Sequence, residues 1–312
     1  MSKKGKLLLA AGLVASAVLG AGLANPHWIG FTYARMAWER DHRCSLRAFW
    51  SSIGASQRLG ERIGEITEEI KPVESGPAGF ELVEVLGKKY WIPERNRPAL
   101  AEMVGEQEAE VYGSAGNGVR PGDIVLDCGA NVGVYTRVAL EAGARLVVAI
   151  EPAPENLYCL NRNFAEEIRA GRVIVYPKGV WDKDDTLTLR TYDAQSGGDS
   201  VALKFPGSRP GPTVPLTTID KLVEELRLER VDFIKMDIEG AERRALKGAK
   251  RTVERFQSRL AISMEHEPDD ATVIPALMET LWPGRKAECG RCTWVHTAFV
   301  NRVQPEEVYL ER

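Results

Sequence analysis

From residue 124 onward, short unbroken apolar runs alternate with stretches whose apolar positions recur every three or four residues. An unbroken run of about four to eight apolar residues marks a strand buried on both faces of a sheet. The three-or-four spacing marks a helix lying against such a sheet. The runs fall at residues 124–127, 146–151, 173–177, 231–237 and 260–265, and the helical patterns at 134–141, 154–168 and 241–256. That order predicts an α/β chain with a central, mostly parallel sheet and helices on both faces. Residues 186–191 and 201–205 alternate with period two and predict a hairpin, with TYDAQSGGDS and the proline- and glycine-rich FPGSRPGPT as loops. Residues 293–301 and 307–310 predict closing antiparallel strands.

The first part of the chain has a different texture. Residues 7–24 carry no charge and follow Lys3, Lys4 and Lys6. As a helix this stretch would be about 27 Å long, near the roughly 30 Å of a bilayer's hydrocarbon. It predicts an N-terminal membrane-anchor helix. A cleaved signal segment with Gly22 and Ala24 before the cut is the alternative. Beyond it Trp28, Phe31, Tyr33 and Trp38 interleave with arginines, which fits an interfacial segment or a short amphipathic helix packed on the domain. Residues 76–98 read as short strands and 99–112 as a helix. The expected organisation is an anchor or signal over 1–24, a helical cap region over 25–115 and the α/β domain over 116–312.

Composition narrows the partners. The chain has 312 residues and a net charge of −3, so no strongly basic surface for nucleic acid is expected. Five cysteines is an odd number. Cys128 reads as a small buried residue, and Cys44 and Cys159 as isolated. Cys289 and Cys292 form a lone CxxC with only His296 near it, too few ligands for zinc, and read as two thiols in a turn.

The chemistry concentrates at strand ends. VLDCGANVG is a strand, a glycine turn and a helix start, with Gly129 and Gly133 flanking the turn. Such a unit is where an open α/β sheet takes a nucleotide-like cofactor. Asp127 beside the turn would repel a pyrophosphate, and Asn131 stands where a dinucleotide motif needs its second glycine. A cofactor with a cationic end suits the turn better, and S-adenosyl-L-methionine (SAM) carries an ammonium and a sulfonium. Glu151 closes the second strand about 20 positions on, where a carboxylate can accept both ribose hydroxyls. The expected cofactor residues are Asp127, Gly129, Asn131, Gly133, Glu151 and Asp182.

A third strand-to-helix unit, IKMDIEGAE, carries the most specific pattern. Together with VLDCGANVG, AIEP and TTIDKL it resembles the FkbM-type methyltransferases, over about residues 122–267. The resemblance implies a Rossmann-like class I methyltransferase fold and SAM-dependent methylation of an oxygen on a sugar, lipid-linked glycan or natural product. It also implies that an N-terminal piece caps the cofactor cleft. Methyl transfer from SAM is an in-line substitution, which needs an aligned acceptor and a group to take or weaken its proton. Lys235, Asp237 and Glu239 end the fourth core strand, and His266 ends the fifth beside Glu265. Asp237 could orient or deprotonate the acceptor with Lys235 tuning it, or the two could be a structural ion pair. Glu242 fits a helix-terminal structural role. No metal is expected. Because SAM is cytosolic, an anchored protein would hold its catalytic domain in the cytosol. Export after cleavage, a non-catalytic SAM-fold binding protein at a membrane, and an N-methyltransferase remain as alternatives. An NAD(P) oxidoreductase is disfavoured by Asp127 and by the missing GxGxxG.

Overall fold

The computed structural model describes residues 37–77, 79–113, 116–191, 199–203, 207–296 and 300–310. The cap region opens with helix α1 (Leu46–Glu69), strands β1 (Lys71–Ser75), β2 (Phe80–Val85) and β3 (Lys88–Pro93), and helix α2 (Arg97–Glu108). The core then runs β4 (Ile124–Cys128), α3 (Val134–Glu141), β5 (Leu146–Ile150), α4 (Pro154–Asn163), α5 (Ala165–Arg169) and β6 (Val173–Tyr176). A side sheet and its helix follow as β7 (Gly179–Val180), β8 (Asp185–Thr191), β9 (Arg209–Thr217) and α6 (Ile219–Glu225). The core resumes with β10 (Phe233–Met236), α7 (Glu242–Lys247), α8 (Lys250–Phe256), β11 (Arg259–Ser263) and α9 (Asp270–Leu281). Strands β12 (Glu288–Cys289), β13 (Cys292–His296), β14 (Asn301–Pro305) and β15 (Glu307–Leu310) end the chain.

Seven strands form the central sheet in the order β12-β15-β11-β10-β4-β5-β6. The five from β11 to β6 are parallel, and β15 and β12 extend the β11 side through antiparallel pairings. The strand order reverses between β4 and β10, and an open α/β sheet binds ligands beside such a reversal, at the carboxyl ends of its strands. Burial explains the unbroken apolar runs. Leu126, Val148, Ile234 and Leu260 pack on one face, while Val125, Val147, Phe233 and Ala261 pack on the other with Tyr112 and Tyr135. Each such buried valine, leucine, isoleucine or phenylalanine stabilises the fold by about 1.5–3 kcal/mol relative to exposure. This is the expected Rossmann-like α/β architecture.

Several expectations need correction. The helix expected over 154–168 is two, broken at the fully buried Phe164, where φ is −123°. The helix expected over 241–256 is also two, α7 and α8. Gly248 lies between them, and only glycine fits there, because a Cβ would meet the Trp181 carbonyl oxygen at 2.1 Å. Of the hairpin expected from 186–191 and 201–205, the described residues 201–203 form no strand, and the two segments meet only in an antiparallel bridge between Arg190 and Ser200. Strand β8 pairs with β9, which takes in residues 209–213 of the proline- and glycine-rich segment read as a loop. Pro212 falls at the register shift between Thr188 and Arg190, where a proline is tolerated, while Pro210 and Pro215 lie opposite Arg190 and Thr186.

The cap is tied to the core by specific contacts. Asn163 donates to the Val132 and Trp91 carbonyls at 2.8 and 3.0 Å and accepts from the Trp91 amide at 2.6 Å. Helix α1 answers to the expected alternative of an amphipathic helix packed on the domain, though at 24 residues it is longer than the short helix expected, and it buries Phe49, Ser52 and Ile66. It is capped by Ser45, whose hydroxyl oxygen accepts from the Ala48 amide at 3.0 Å, and it packs on α2 at Gly105 and on β13. A Cys44–Cys292 disulfide joins the start of α1 to β13. This corrects the reading of Cys44 as isolated and of Cys292 as a free thiol. The pairing joins residues 248 positions apart, which spacing along the chain cannot reveal.

The expected membrane-anchored localisation is also corrected. Among the described residues no helix is long and apolar enough to cross a membrane. Residues 7–24, on which that expectation rested, lie outside the described residues.

Candidate active site

The turn after β4 is built around close backbone approach. Gly129 has φ +80°, and a Cβ there would lie 1.9 Å from the Asp237 carbonyl oxygen. Only glycine lets the two strand ends meet. Gly133 has φ +96°, and a Cβ there would meet the Phe164 ring at 2.2 Å, so this glycine serves packing behind the turn. In register, Lys235 lies beside Asp127 and Met236 beside Cys128.

A cavity of about 1050 Å³ opens over these strand ends. Gly129, Asn131, Glu151 and Asn156 line one end of it. Glu151 accepts from the Asn131 amide at 2.9 Å and the Ala153 amide at 2.8 Å. Burial pushes its pKa up to about 7, against those backbone hydrogen bonds and one from Asn156. Asn131 sits at φ +51°, and its Oδ1 is buried without a hydrogen-bond partner. An amide oxygen left unsatisfied in a cavity wall calls for a donor from a ligand. These residues fit a ribose-bearing cofactor with an ammonium.

Besides Gly133, two expected cofactor residues are placed off the cavity wall. Asp127 is fully buried and does not line the cavity; it accepts from the Thr136 hydroxyl at 2.6 Å and lies 3.6 Å from Lys235 Nζ. Its charge acts from beneath the turn. Asp182 is drawn to Arg244, 2.8 Å away, and is likewise not part of the lining. The position after β7 turns it toward α7, where a cation awaits it.

The acid–base groups gather at the ends of β10 and β11. Lys235 is buried, with Nζ 3.2 Å from the Gly129 carbonyl and 3.8 Å from Asp237 Oδ2. Burial alone would depress its pKa, but Asp237 and Asp127 outweigh it and hold the ammonium charged. Asp237 is partly exposed to the cavity. Burial raises its pKa, Lys235 and His266 outweigh that, and the net shift is downward. His266 lies between carboxylates: Nδ1 is 3.1 Å from Glu242 Oε1, and Nε2 is 3.7 Å from Asp237 Oδ1 and 3.6 Å from Glu239 Oε2. Burial would push the imidazole's pKa down, but Glu242 and Glu239 raise it well above its ordinary value. Asp237, Glu242 and His266 bring potential ligand atoms within 4.8 Å of one another. The imidazole is already charge-paired within this group, and we read the cluster as an ion-pair network.

Beyond Asp237 the wall changes character. Glu102 and Glu106 come from α2, Glu265 from the end of β11, and Glu306 from the turn between β14 and β15. Burial raises the pKa of each, well above the ordinary range for Glu106 and Glu265. Neighbouring carboxylates add to the shift in every case. Trp294 and Arg291 complete this end with residues of α1. Glu102 and Glu106 were missed in the sequence, although their spacing of four puts two carboxylates on one helix face. Asn156, Arg291 and Glu306 left no local signal.

Residues 127–290 match the model of the family described as the methyltransferase FkbM domain. A curated relative, the 31-O-demethyl-FK506 methyltransferase FkbM of Streptomyces tacrolimicus, is 29% identical over 157 residues, covering 42% of this chain and 60% of the relative. A solved methyltransferase FkbM from Methylobacillus flagellatus KT aligns with TM-score 0.43 and 20% identity over 81% of this chain and 59% of that one. M. jannaschii TYW2 in complex with AdoMet aligns with TM-score 0.39 and 14% identity, over 76% of this chain and 87% of that one. The chain thus spans about three fifths of the length of the curated relative and of the Methylobacillus protein.

Proposed function

Because this chain belongs to the methyltransferase FkbM domain family, matched over residues 127–290, we propose that it transfers the methyl group of SAM to a hydroxyl on a sugar, a lipid-linked glycan or a natural product. The observation that carries this reading is the continuity of one cavity. It runs from Asn131, Glu151 and Asn156 to Asp237, Glu239 and His266, so a cofactor and an acceptor can meet in it. The Streptomyces relative, by its name, acts on an oxygen of a natural product, which supports the oxygen assignment.

When bound, SAM supplies an electrophilic methyl carbon. Glu151 receives its ribose hydroxyls, and Asn131 offers the free amide oxygen. Lys235 holds the turn through the Gly129 carbonyl and keeps Asp237 ionised. Asp237 then accepts a hydrogen bond from the acceptor hydroxyl and fixes its line of approach. Glu239 and His266 stand beside it to take the proton.

The carboxylates at the far end favour one second reading. Glu102, Glu106, Glu265 and Glu306 would welcome an ammonium, so an amine acceptor is the alternative. The test uses isotopically labelled SAM with extracts of glycans, lipids and small metabolites from cells lacking the gene. A labelled ether in the product supports the oxygen reading, and a labelled methylamine supports the amine reading. Absence of any labelled product with SAM-loaded protein would overturn both. Asp237→Asn is expected to lower turnover by about 10²–10⁴-fold with SAM affinity retained.

A further inference from the structure

Glu242 has no place in the cavity wall, yet it is almost fully buried behind it, at 1% exposure. Its Oε1 accepts from the Ile238 amide at 2.8 Å and lies 3.1 Å from His266 Nδ1. Its Oε2 is buried without a hydrogen-bond partner. The imidazole itself does line the cavity, with Nε2 toward Asp237 and Glu239. The order from cavity to interior is therefore acceptor space, Nε2, Nδ1, Glu242. A base whose far nitrogen is held by a buried, fixed carboxylate is the arrangement that orients and charges an imidazole for proton transfer. The Nδ1 contact is held by charge, short of full hydrogen-bond alignment, and acid–base pairs commonly tighten only once substrate binds.

We propose that Glu242 is a positioning residue that holds His266 with Nε2 toward the acceptor, so that His266 rather than Asp237 takes the acceptor's proton. This rests on the methyl-transfer reading above. In the step, the acceptor oxygen forms its bond to the methyl carbon while the carbon–sulfur bond breaks and its electron pair stays on sulfur. The oxygen's proton passes to Nε2, and the resulting imidazolium is stabilised by Glu242. The low pKa of Asp237 makes it a poor proton acceptor, consistent with its orienting role.

The charged surroundings of His266 come from several elements. Glu242 lies on α7 and Asp237 and Glu239 on the segment after β10. Glu265 is its chain neighbour and feels its charge, and Asp270 on α9 feels Glu242. Glu306 and Glu106 act on Glu265 and Asp237 from farther out. These carboxylates favour the charged form of His266. Activity must then rise with pH as the imidazole loses its proton.

Glu242→Gln tests the idea with little disturbance. A glutamine oxygen in the Oε1 position keeps the Ile238 bond, and the amide replaces the unpartnered Oε2. The pKa of His266, one of four histidines, is read by NMR of ¹³C-labelled histidine in the full chain, assigned with His266→Asn. That reading needs no acceptor, so it stands apart from the methyl-transfer assay. The expected result is a fall of the His266 pKa by at least one unit with SAM affinity unchanged. Once an acceptor is in hand, the acidic limb of the kcat profile should move down by the same amount and plateau turnover should fall about tenfold or more. Asp237→Asn should leave a limb, and His266→Asn should abolish it. A Glu242→Gln protein that melts earlier but keeps the His266 pKa would overturn the proposal. So would a stoichiometric shift of the His266 signal by Mg²⁺, Mn²⁺ or Zn²⁺ alone, which would mark the cluster as a metal centre. If Glu242→Gln does not fold, Glu239→Gln and Glu242→Asp are read by the same NMR titration. A larger pKa fall for Glu239→Gln than for Glu242→Asp would then also overturn it.

Discussion

On the cofactor side of the cavity the walls come from β4, the glycine turn and the end of β5, neighbours in the chain and in the parallel sheet. On the acceptor side they come from α1, α2 and the hairpin around β13, which the Cys44–Cys292 bond joins across 248 positions. The first wall is fixed by backbone geometry that side chains cannot replace. The second is assembled from distant pieces by one covalent link, by ion pairs such as Arg62 with Glu108 at 2.7 Å, and by helix packing. A methyl donor is the same for every reaction of this kind and an acceptor is not. A rigid local wall for one and a long-range, substitutable wall for the other follows that division of labour.

The largest way to break the comparison is Gly129→Ala. The added methyl would sit 1.9 Å from the Asp237 carbonyl and at a positive φ, so neither backbone can yield without parting β4 from β10. A loss of about 3 kcal/mol or more is expected, with SAM binding abolished in whatever remains folded. Thermal unfolding and calorimetry check it. A variant with normal melting and normal SAM affinity would show that the cofactor wall is not rigid.

Breaking the disulfide acts on the other wall. Cys44→Ser is expected to cost about 2–4 kcal/mol of stability, since it releases a constraint on a very long loop. Hydrogen exchange should rise in α1 and β13 and stay unchanged in β4 and β5. SAM affinity should stay within about twofold. Equal loosening of both walls would mean that the cavity is one cooperative unit.

A smaller effect sharpens the cofactor side. A buried Glu151 with a pKa of about 7, against an ordinary 4.5, is largely neutral at pH 6 and ionised at pH 8. A carboxylate accepts ribose hydroxyls better than a carboxylic acid does. SAM affinity should therefore rise severalfold as pH passes upward through 7. The folded protein loses stability earlier, as pH rises from about 4.5 to about 7, because the unfolded chain gives up this proton near 4.5 and the folded one near 7. A flat affinity between pH 6 and 8, by calorimetry, would remove Glu151 from the ribose contact. In Glu151→Gln the slope should vanish.

The two walls also differ in how far the sequence discloses them. The core strands show as unbroken runs because each is buried on both faces. Gly129, Asn131 and Glu151 show because a turn at a strand end has few alternatives. Asp127 and Asp182 were expected at the cofactor for the same reason, but chain position cannot tell a carboxylate facing a cavity from one turned to Lys235 or Arg244. Lys235, Asp237, Glu239 and His266 do converge on one strand-end site, as polar residues closing apolar runs should. The acceptor wall was hidden. Helix α1 carries an apolar stripe through Ile53, Leu59, Ile63 and Ile66 that was expected only as an alternative, a short amphipathic helix, and the disulfide, Arg291 and Glu306 depend on folding that brings together residues far apart in the chain. Strand β9 was misread because its prolines suit a loop equally well.

The most direct measurement is a calorimetric titration of the full chain with SAM, repeated with NAD⁺ and with the Glu151→Ala variant. The account predicts one SAM per chain, no binding of NAD⁺, and SAM affinity weakened in the variant by about 1.5–3 kcal/mol, roughly 10- to 150-fold. Binding of NAD⁺ in place of SAM, or a SAM affinity that ignores the loss of Glu151, would contradict it.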